Sequence, residues 1–417
     1  MLEQFDFREI DPKDPDWTRS IDGLRVQLGA PDNELLFPPH FLKATFPEIS
    51  GRLLVCTTGQ QVIGVGFLFP RCMRGESLGY TLRYHATSTE PLLTASQFAQ
   101  ESQKRLYPHT VVSYDPAGSI TFERTSHERC GIDIGQPDRR EAESVRRLQQ
   151  EIWHSESEYL YPTDIHAVEF QAGTTLIARI NNEPAGFLFG FYKFTNDPLP
   201  EAWQRTFHSD FRIESQLMGV RSAQRGQNIG LLLKKRQAEL ARCQDIDIIN
   251  WTVDPLQFGN AVLNFGSLNA ISFGFYSNYY PFRNALNQVS ASRLVVTWLI
   301  NSRPARRAIS SHNQFTIPEL ADIDDVEVIN QGWQTLNLKE TASRIAIELP
   351  FNWTRLQRES PEQALRWREA TDDIFEHYLG HEPDQYMITG VGKAGRNRYL
   401  VAERVTPAVL DRFESVP

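Results

Sequence analysis

The stretch that decides the fold is Met218-Gly-Val-Arg-Ser-Ala-Gln-Arg-Gly-Gln-Asn-Ile-Gly-Leu-Leu-Leu-Lys-Lys-Arg236. It reads as the end of an apolar strand, a tight glycine-bearing loop, and then a helix. Gln224, Arg225, Gly226, Gln227, Asn228, Ile229 and Gly230 make the loop and the first helical turn. Small residues there let backbone N–H groups come close to a ligand. The open N-terminus of a helix adds unpaired donors and a dipole that favours an anion. Five basic residues and no acidic one lie from Arg221 to Arg236, in a chain whose net charge is −9. The pattern points to a diphosphate site.

The 417 residues exceed one ordinary domain and predict two or three. With 41% apolar and 23% charged residues, the composition is that of a soluble globular protein. The acidic balance argues against a nucleic-acid groove. No apolar run reaches membrane-spanning length, and Met1-Leu-Glu-Gln-Phe-Asp-Phe-Arg-Glu lacks the pattern of a secretory leader. A cytoplasmic protein without a membrane or nucleic-acid partner is therefore expected. Cys56, Cys72, Cys130 and Cys243 show no CxxC spacing, and the histidines form no ligand-spaced pair. Reduced thiols and no metal site follow.

Three segments are expected. Residues 1–130 open with Phe7-Arg-Glu-Ile and a helical stretch. Two apolar runs follow, Arg52 to Thr57 and Val62 to Phe69, hinged at Gly59-Gln-Gln. That is a hairpin signature. Residues 131–300 repeat the order more fully. Ile132-Asp-Ile starts a strand, and Asp138 to Trp153 carries Val145, Leu148, Ile152 and Trp153 along one helical face. A second hairpin turns at Asn181-Asn-Glu-Pro. Then come the strand Ile213 to Val220, the loop, the helix Gly230 to Arg242 and the strand Ile246 to Val253. The matching hairpins suggest a duplication. Residues 301–417 begin with Arg303-Pro-Ala-Arg-Arg, which reads as a basic linker. They hold a helix announced by Ser360-Pro-Glu-Gln, with Leu365, Ile374, Phe375, Tyr378 and Leu379 on one face. A hairpin around Gly392-Lys-Ala-Gly-Arg ends the segment.

The glycine loop resembles the acyl-CoA loop of the GNAT N-acetyltransferase superfamily, Gln/Arg-x-x-Gly-x-Gly/Ala. Asn228 stands where the family usually has its first motif glycine. Asn tolerates left-handed backbone angles better than other non-glycine residues, so the exchange is mild. Trp251-Thr-Val-Asp-Pro-Leu, Asn260-Ala-Val-Leu-Asn and Ala364-Leu-Arg-Trp-Arg occur in order. They resemble an uncharacterised prokaryotic family of predicted GNAT acetyltransferases over about residues 131–404. The resemblance implies an α+β fold: a mixed, mostly antiparallel, splayed sheet flanked by helices. An N-terminal GNAT-like half (or an unrelated α+β domain) precedes it, and a C-terminal α+β extension follows.

The resemblance also implies chemistry. Met218 and Val220 would offer main-chain groups to the acyl and pantetheine portion of an acyl-CoA co-substrate. Gln224 to Gly230 would hold its pyrophosphate, and Asn260 could reach CoA or the acceptor, with Asn264 one helical turn along. Transfer to an amine needs a base, an oxyanion donor and, helpfully, an acid for the thiolate. Glu214 is the first choice for base, then Asp254, then His208 or Asp210. The family's usual acidic tyrosine aligns with Phe265, which cannot donate a proton. Tyr276, Tyr279 or Tyr280 would have to substitute. The leading expectation is an acyl-CoA-dependent N-acyltransferase for a small-molecule amine. Its alternatives are a non-catalytic scaffold that binds CoA or a partner, and another acyl-CoA reaction such as decarboxylation or O-acyl transfer. A dinucleotide oxidoreductase is disfavoured, because the loop follows a late strand and no βαβ unit surrounds it. Exposed strand edges would allow a homodimer.

Overall fold

The computed structural model describes residues 5–30, 32–114, 126–129, 131–154, 156, 159–195, 197–208, 210–280, 288–311, 313–335 and 342–414. Cys130 and the Tyr280 side chain lie outside the described set. The chain forms two compact units. One comprises Met1–Asn196 with Asp210–Gln244, the other Asp197–Ser209 with Asp245–Pro417. The fold is α+β, with mostly antiparallel sheets flanked by helices.

The first unit holds two sheets. One runs in the order β1 (Asp6–Ile10), β2 (Arg52–Thr58), β3 (Gln61–Arg74), β4 (Ser77–Ala86), β5 (Thr110–Ser113). Neighbours are antiparallel except β4 and β5, which are parallel across the helix Ala95–Arg105. The β2–β3 turn forms where the sequence marks it, with Gly59 at φ +59°. The other sheet contains β6 (Ser126–Arg129), β7 (Ile132–Gly135), β8 (Gly173–Ile180), β9 (Glu183–Phe194) and β10 (Phe211–Val220), each antiparallel to the next. Asn181 and Asn182 make the β8–β9 turn, both at positive φ. The helix Arg139–Trp153 starts at Asp138, whose side chain accepts from the N–H groups of Arg140 and Glu141 at 2.9 Å. Val145 and Leu148 are buried, and Ile152 and Trp153 pack on the same cluster.

The element order repeats. A strand, a helix, a hairpin, a third strand, a helix and a strand run from β1 to β5, and again from β7 to β11 (Ile248–Val253). The repetition thus extends past the hairpins into the strand–helix–strand that follows each.

Residue 130 does not divide two cores, as the sequence suggests it should. Phe41 stacks on Phe191 at 4.9 Å and Phe69 on Phe191 at 5.8 Å, in one cluster spanning Ile10 to Phe191. Burying each such ring stabilises the unit by about 1.5–3 kcal/mol, a gain that separating the two segments would forfeit at every exposed ring. The boundary expected at residue 300 is also displaced, to residue 244.

The second unit orders its strands β14 (Val326–Val328), β17 (Arg344–Leu349), β19 (Asn397–Arg404), β18 (Tyr386–Ala394), β12 (Ile271–Tyr280), β13 (Ala291–Leu299), β11. Among the described strand pairs of this unit, β14 and β17 are parallel and the others antiparallel. A small ladder joins β15 (Asn330–Gln331) to β16 (Gln334–Thr335). The excursion 197–209 belongs to this core: Trp203 is fully buried, and its Nε1 donates to the Leu410 carbonyl at 3.1 Å. The helix Pro361–Tyr378 forms as expected, with two differences. Ser360 makes no side-chain cap, and Leu365 is 39% exposed while Ala364, Trp367 and Arg368 face inward. The last hairpin turns at Gly395, φ +56°, inside the expected Gly392-Lys-Ala-Gly-Arg stretch.

Candidate functional site

Strand β10 lies against β9 with Gly219 opposite Phe187 and Val220 opposite Gly186. A register shift between Ser215 and Leu217 makes Gln216 a bulge residue. After Val220 the chain turns through Ser222–Gln224 and starts the helix Ile229–Arg242. Two residues of the turn take left-handed angles: Gly226 at φ +83° and Asn228 at φ +60°. Asn228 therefore takes a backbone angle that glycine adopts freely. Nothing lies within 4 Å of where a Cβ on Gly226 would sit, so that backbone faces open space. Arg225, Gly226, Gln227 and Asn228 are all exposed, and Ile229 is anchored in the core beneath them.

The helix start has no side-chain cap. The equivalent helix of the first repeat, Ala95–Arg105, differs. There Thr94 Oγ1 accepts from the Gln97 N–H, and the Gln97 side chain accepts from the Thr94 N–H, a complete capping box. One repeat satisfies its own helix donors. The other leaves them to an outside acceptor, water or anion.

The basic run is mostly committed elsewhere. Arg221 is tied to Glu151 at 2.9 Å and to the Pro184 carbonyl at 2.6 Å. Arg236 pairs with Glu239 at 2.8 Å. Lys235 is buried, and so is Lys234, whose Nζ donates to Ser215 Oγ at 2.8 Å. Burial drives the Lys234 amine down from 10.5 to about 7, against the pull of Glu214. Only Arg225 stays exposed and without a side-chain contact among the described residues. Gln227 Nε2 donates to Gln224 Oε1 at 2.6 Å, bracing the turn. Met218 and Val220 pack their side chains on the core cluster that includes Leu188 and Ile229.

Glu214 sits in β10 opposite Phe191 and is 15% exposed, 3.6 Å from Lys193 Nζ. It is an inner carboxylate, not the exposed strand end its position suggests. Sequence reasoning missed its neighbours Ser215 and Lys234. The signal was there, since Lys234 follows Leu231-Leu-Leu on an otherwise apolar face.

In the second unit Asp254 follows β11 and is saturated. It accepts from Arg368 Nη2 at 2.9 and 3.0 Å, from Trp353 Nε1 at 3.0 Å and from the Leu256 N–H at 3.0 Å. Arg368 in turn lies over the Trp353 ring at 5.0 Å. A carboxylate holding four hydrogen bonds has its lone pairs committed to structure. Nearby, burial raises the Asp372 carboxyl to about 6 although Ser292 Oγ donates to it.

The remaining candidates are scattered. His208 is 85% exposed, 3.5 Å from Asp247, and Asp210 stands just before β10 with its carbonyl accepting from the Thr195 N–H. Tyr276 is 54% exposed on β12, its ring 5.7 Å from that of Tyr279. Phe265 is buried. Asn260 is exposed whereas Asn264 is buried, so they do not share a face. The reason is local: the helix Phe258–Ala261 passes into a π-helical turn, Val262–Ser267, which rotates side chains off the 3.6-residue period. Among the described residues no group of His, Cys, Asp and Glu could hold a metal ion. No helix is long and apolar enough to cross a membrane.

No family model matches the chain, and no curated protein matches it. Among solved structures it aligns with Naa50 of Arabidopsis thaliana in complex with the bisubstrate analogue CoA-Ac-MVNAL. The TM-score is 0.30 and the identity 16%, over 40% of this chain and 97% of that one. It also aligns with the ribosomal-protein-S5-alanine acetyltransferase from Vibrio fischeri, TM-score 0.33 and 11% identity, over 42% and 96%. A third is the ribosomal-protein-S18-alanine N-acetyltransferase from Escherichia coli, TM-score 0.31 and 12% identity, over 44% and 99%. At such low TM-scores, function has to be argued from this chain's own residues.

Proposed function

We propose that the protein is an acyl-CoA-dependent N-acyltransferase that takes acetyl-CoA and a small-molecule amine. The observation that carries the reading is the uncapped, exposed start of the helix Ile229–Arg242, reached through left-handed Gly226 and Asn228. N–H groups at such a helix start suit a diphosphate. Arg225 supplies the free positive charge, and Gln224 with Gln227 holds the turn. Main-chain groups of Met218 and Val220 would carry the acyl and pantetheine portion along β10.

Acyl transfer to an ammonium substrate first needs a proton removed. Glu214 suits that role better than Asp254, whose lone pairs are already taken. The amine then attacks the thioester carbonyl, the C–S bond breaks, and the thiolate takes up a proton. A thiolate is a competent leaving group, so an acid is useful but dispensable. Phe265 at the expected tyrosine position favours a second reading, a scaffold that binds CoA without turnover.

Calorimetric titration with acetyl-CoA tests the proposal, run on the native chain and on Arg225→Glu and Gly226→Asp. Binding abolished by both substitutions supports the loop assignment. Thiol release on adding amines then separates transferase from scaffold. A native chain that binds neither acetyl-CoA, longer acyl-CoAs nor free CoA would sink both readings.

A further inference from the structure

The second unit contains a cleft of about 510 Å³ walled by the helix Arg303–Ser310, β18, β19 and the segment around Phe413. Its charges do not balance. The single carboxylate, Glu403, is fully occupied. Arg412 grips both oxygens, Thr389 Oγ1 donates to one, and Arg344 lies at 3.4 Å. Burial opposes its ionisation, but these donors outweigh burial and hold it below the ordinary glutamate range. Arg303 and Arg307 are left. Both are exposed, both line the cleft, and neither makes a side-chain contact among the described residues.

Their placement costs stability. Residues four apart share a helix face, and like charges there repel by a few tenths of a kcal/mol. Arg303 also occupies the first helical position, at the positive end of the dipole, in a helix with no acidic residue in its first turn. A net-negative chain keeps two unpaired guanidinium groups on one helix face, where they repel each other and where the dipole opposes Arg303, although it favours Arg307 in the last turn. A bound dianion would relieve the mutual repulsion and the unfavourable end of Arg303 together, and planar guanidinium forks match its oxygens.

We propose that this cleft binds a small molecule bearing a dianionic oxyanion group, a phosphate ester or a di- or tricarboxylate. Arg303 and Arg307 grip the anion, and the body of the molecule lies against Pro304 and Phe413. The site is independent of the loop at Arg225 to Gly230.

Two probes separate the anion types: inorganic phosphate and citrate, each titrated calorimetrically into the full chain. The native chain should bind at least one of them. An Arg303→Ala/Arg307→Ala variant should bind that probe at least about tenfold more weakly, while Arg225→Glu leaves its affinity unchanged. Phosphate alone binding identifies a phosphate ester, and citrate alone a carboxylate. Equal binding by the double variant, or no binding of either probe to the native chain, overturns the proposal. A second measurement needs no variant. Phenylglyoxal should modify Arg303 and Arg307 in the native chain, and the bound probe should protect both. Undiminished modification would count against the site.

Discussion

Replacing Lys234 with methionine should stabilise the protein at neutral pH, and the gain should vanish in alkali. Lys234 Nζ is buried between the helix Ile229–Arg242 and β10, with Ser215 Oγ as its hydrogen-bond acceptor. Burial lowers the amine from 10.5 to about 7, although Glu214 favours the charged form. Between those two values the unfolded chain holds a proton that the folded chain has released, so stability rises with pH across that window. At pH 7 the penalty for folding around this lysine is about 4 kcal/mol, and near pH 10 it falls to about 1 kcal/mol. Methionine has similar length and fills the space without a charge. It forfeits the bond to Ser215, worth about 1 kcal/mol. The net expectation is a gain of about 3 kcal/mol at pH 7 and almost none at pH 10. Urea unfolding at both pH values, with hydrogen exchange of the Ile229–Arg242 amides as the local readout, measures it. A gain of the same size at both pH values would refute the argument. So would a loss at pH 7, which would mean that Lys234 is charged and satisfied in the fold.

Three further outcomes are expected. Asn228→Val should cost about 1–2 kcal/mol, because a β-branched residue resists φ +60°, whereas Asn228→Gly should be tolerated; thermal unfolding compares the two. Asp254→Ala should destabilise the second unit by about 3–5 kcal/mol by stranding the buried Arg368 guanidinium. Asp254→Leu combined with Arg368→Met should recover most of that loss in denaturant titration. If the transferase reading holds, Glu214→Gln should lower kcat by about 10²–10⁴-fold and leave the KM for acetyl-CoA unchanged, which steady-state thiol-release kinetics would show.

The parts of this molecule legible in its sequence are those set by neighbours in the chain. Asp138 caps its helix, Gly59 and Asn181-Asn182 turn their hairpins, and Asn228 adopts the glycine-like angle, all through bonds or dihedrals within a few residues. What the sequence hid was set by distant partners. The run from Arg221 to Arg236 looks like one basic patch because charges add along a sequence. In the fold they point in different directions, and Arg221 before the turn and Lys234 and Arg236 on the helix each found a separate partner. Likewise Asp254 looks like a free strand-end carboxylate until residues 353 and 368, about a hundred positions on, are folded against it. The domain boundary at 130 failed for the same reason, since the rings of Phe41 and Phe191 are separated by 150 residues but share one core. Local chemistry therefore makes the left-handed turn and the uncapped helix start legible. Long-range contacts likewise decide which carboxylate is already committed: they fill the lone pairs of Asp254 and set Glu214 beside Lys193 and the buried Lys234.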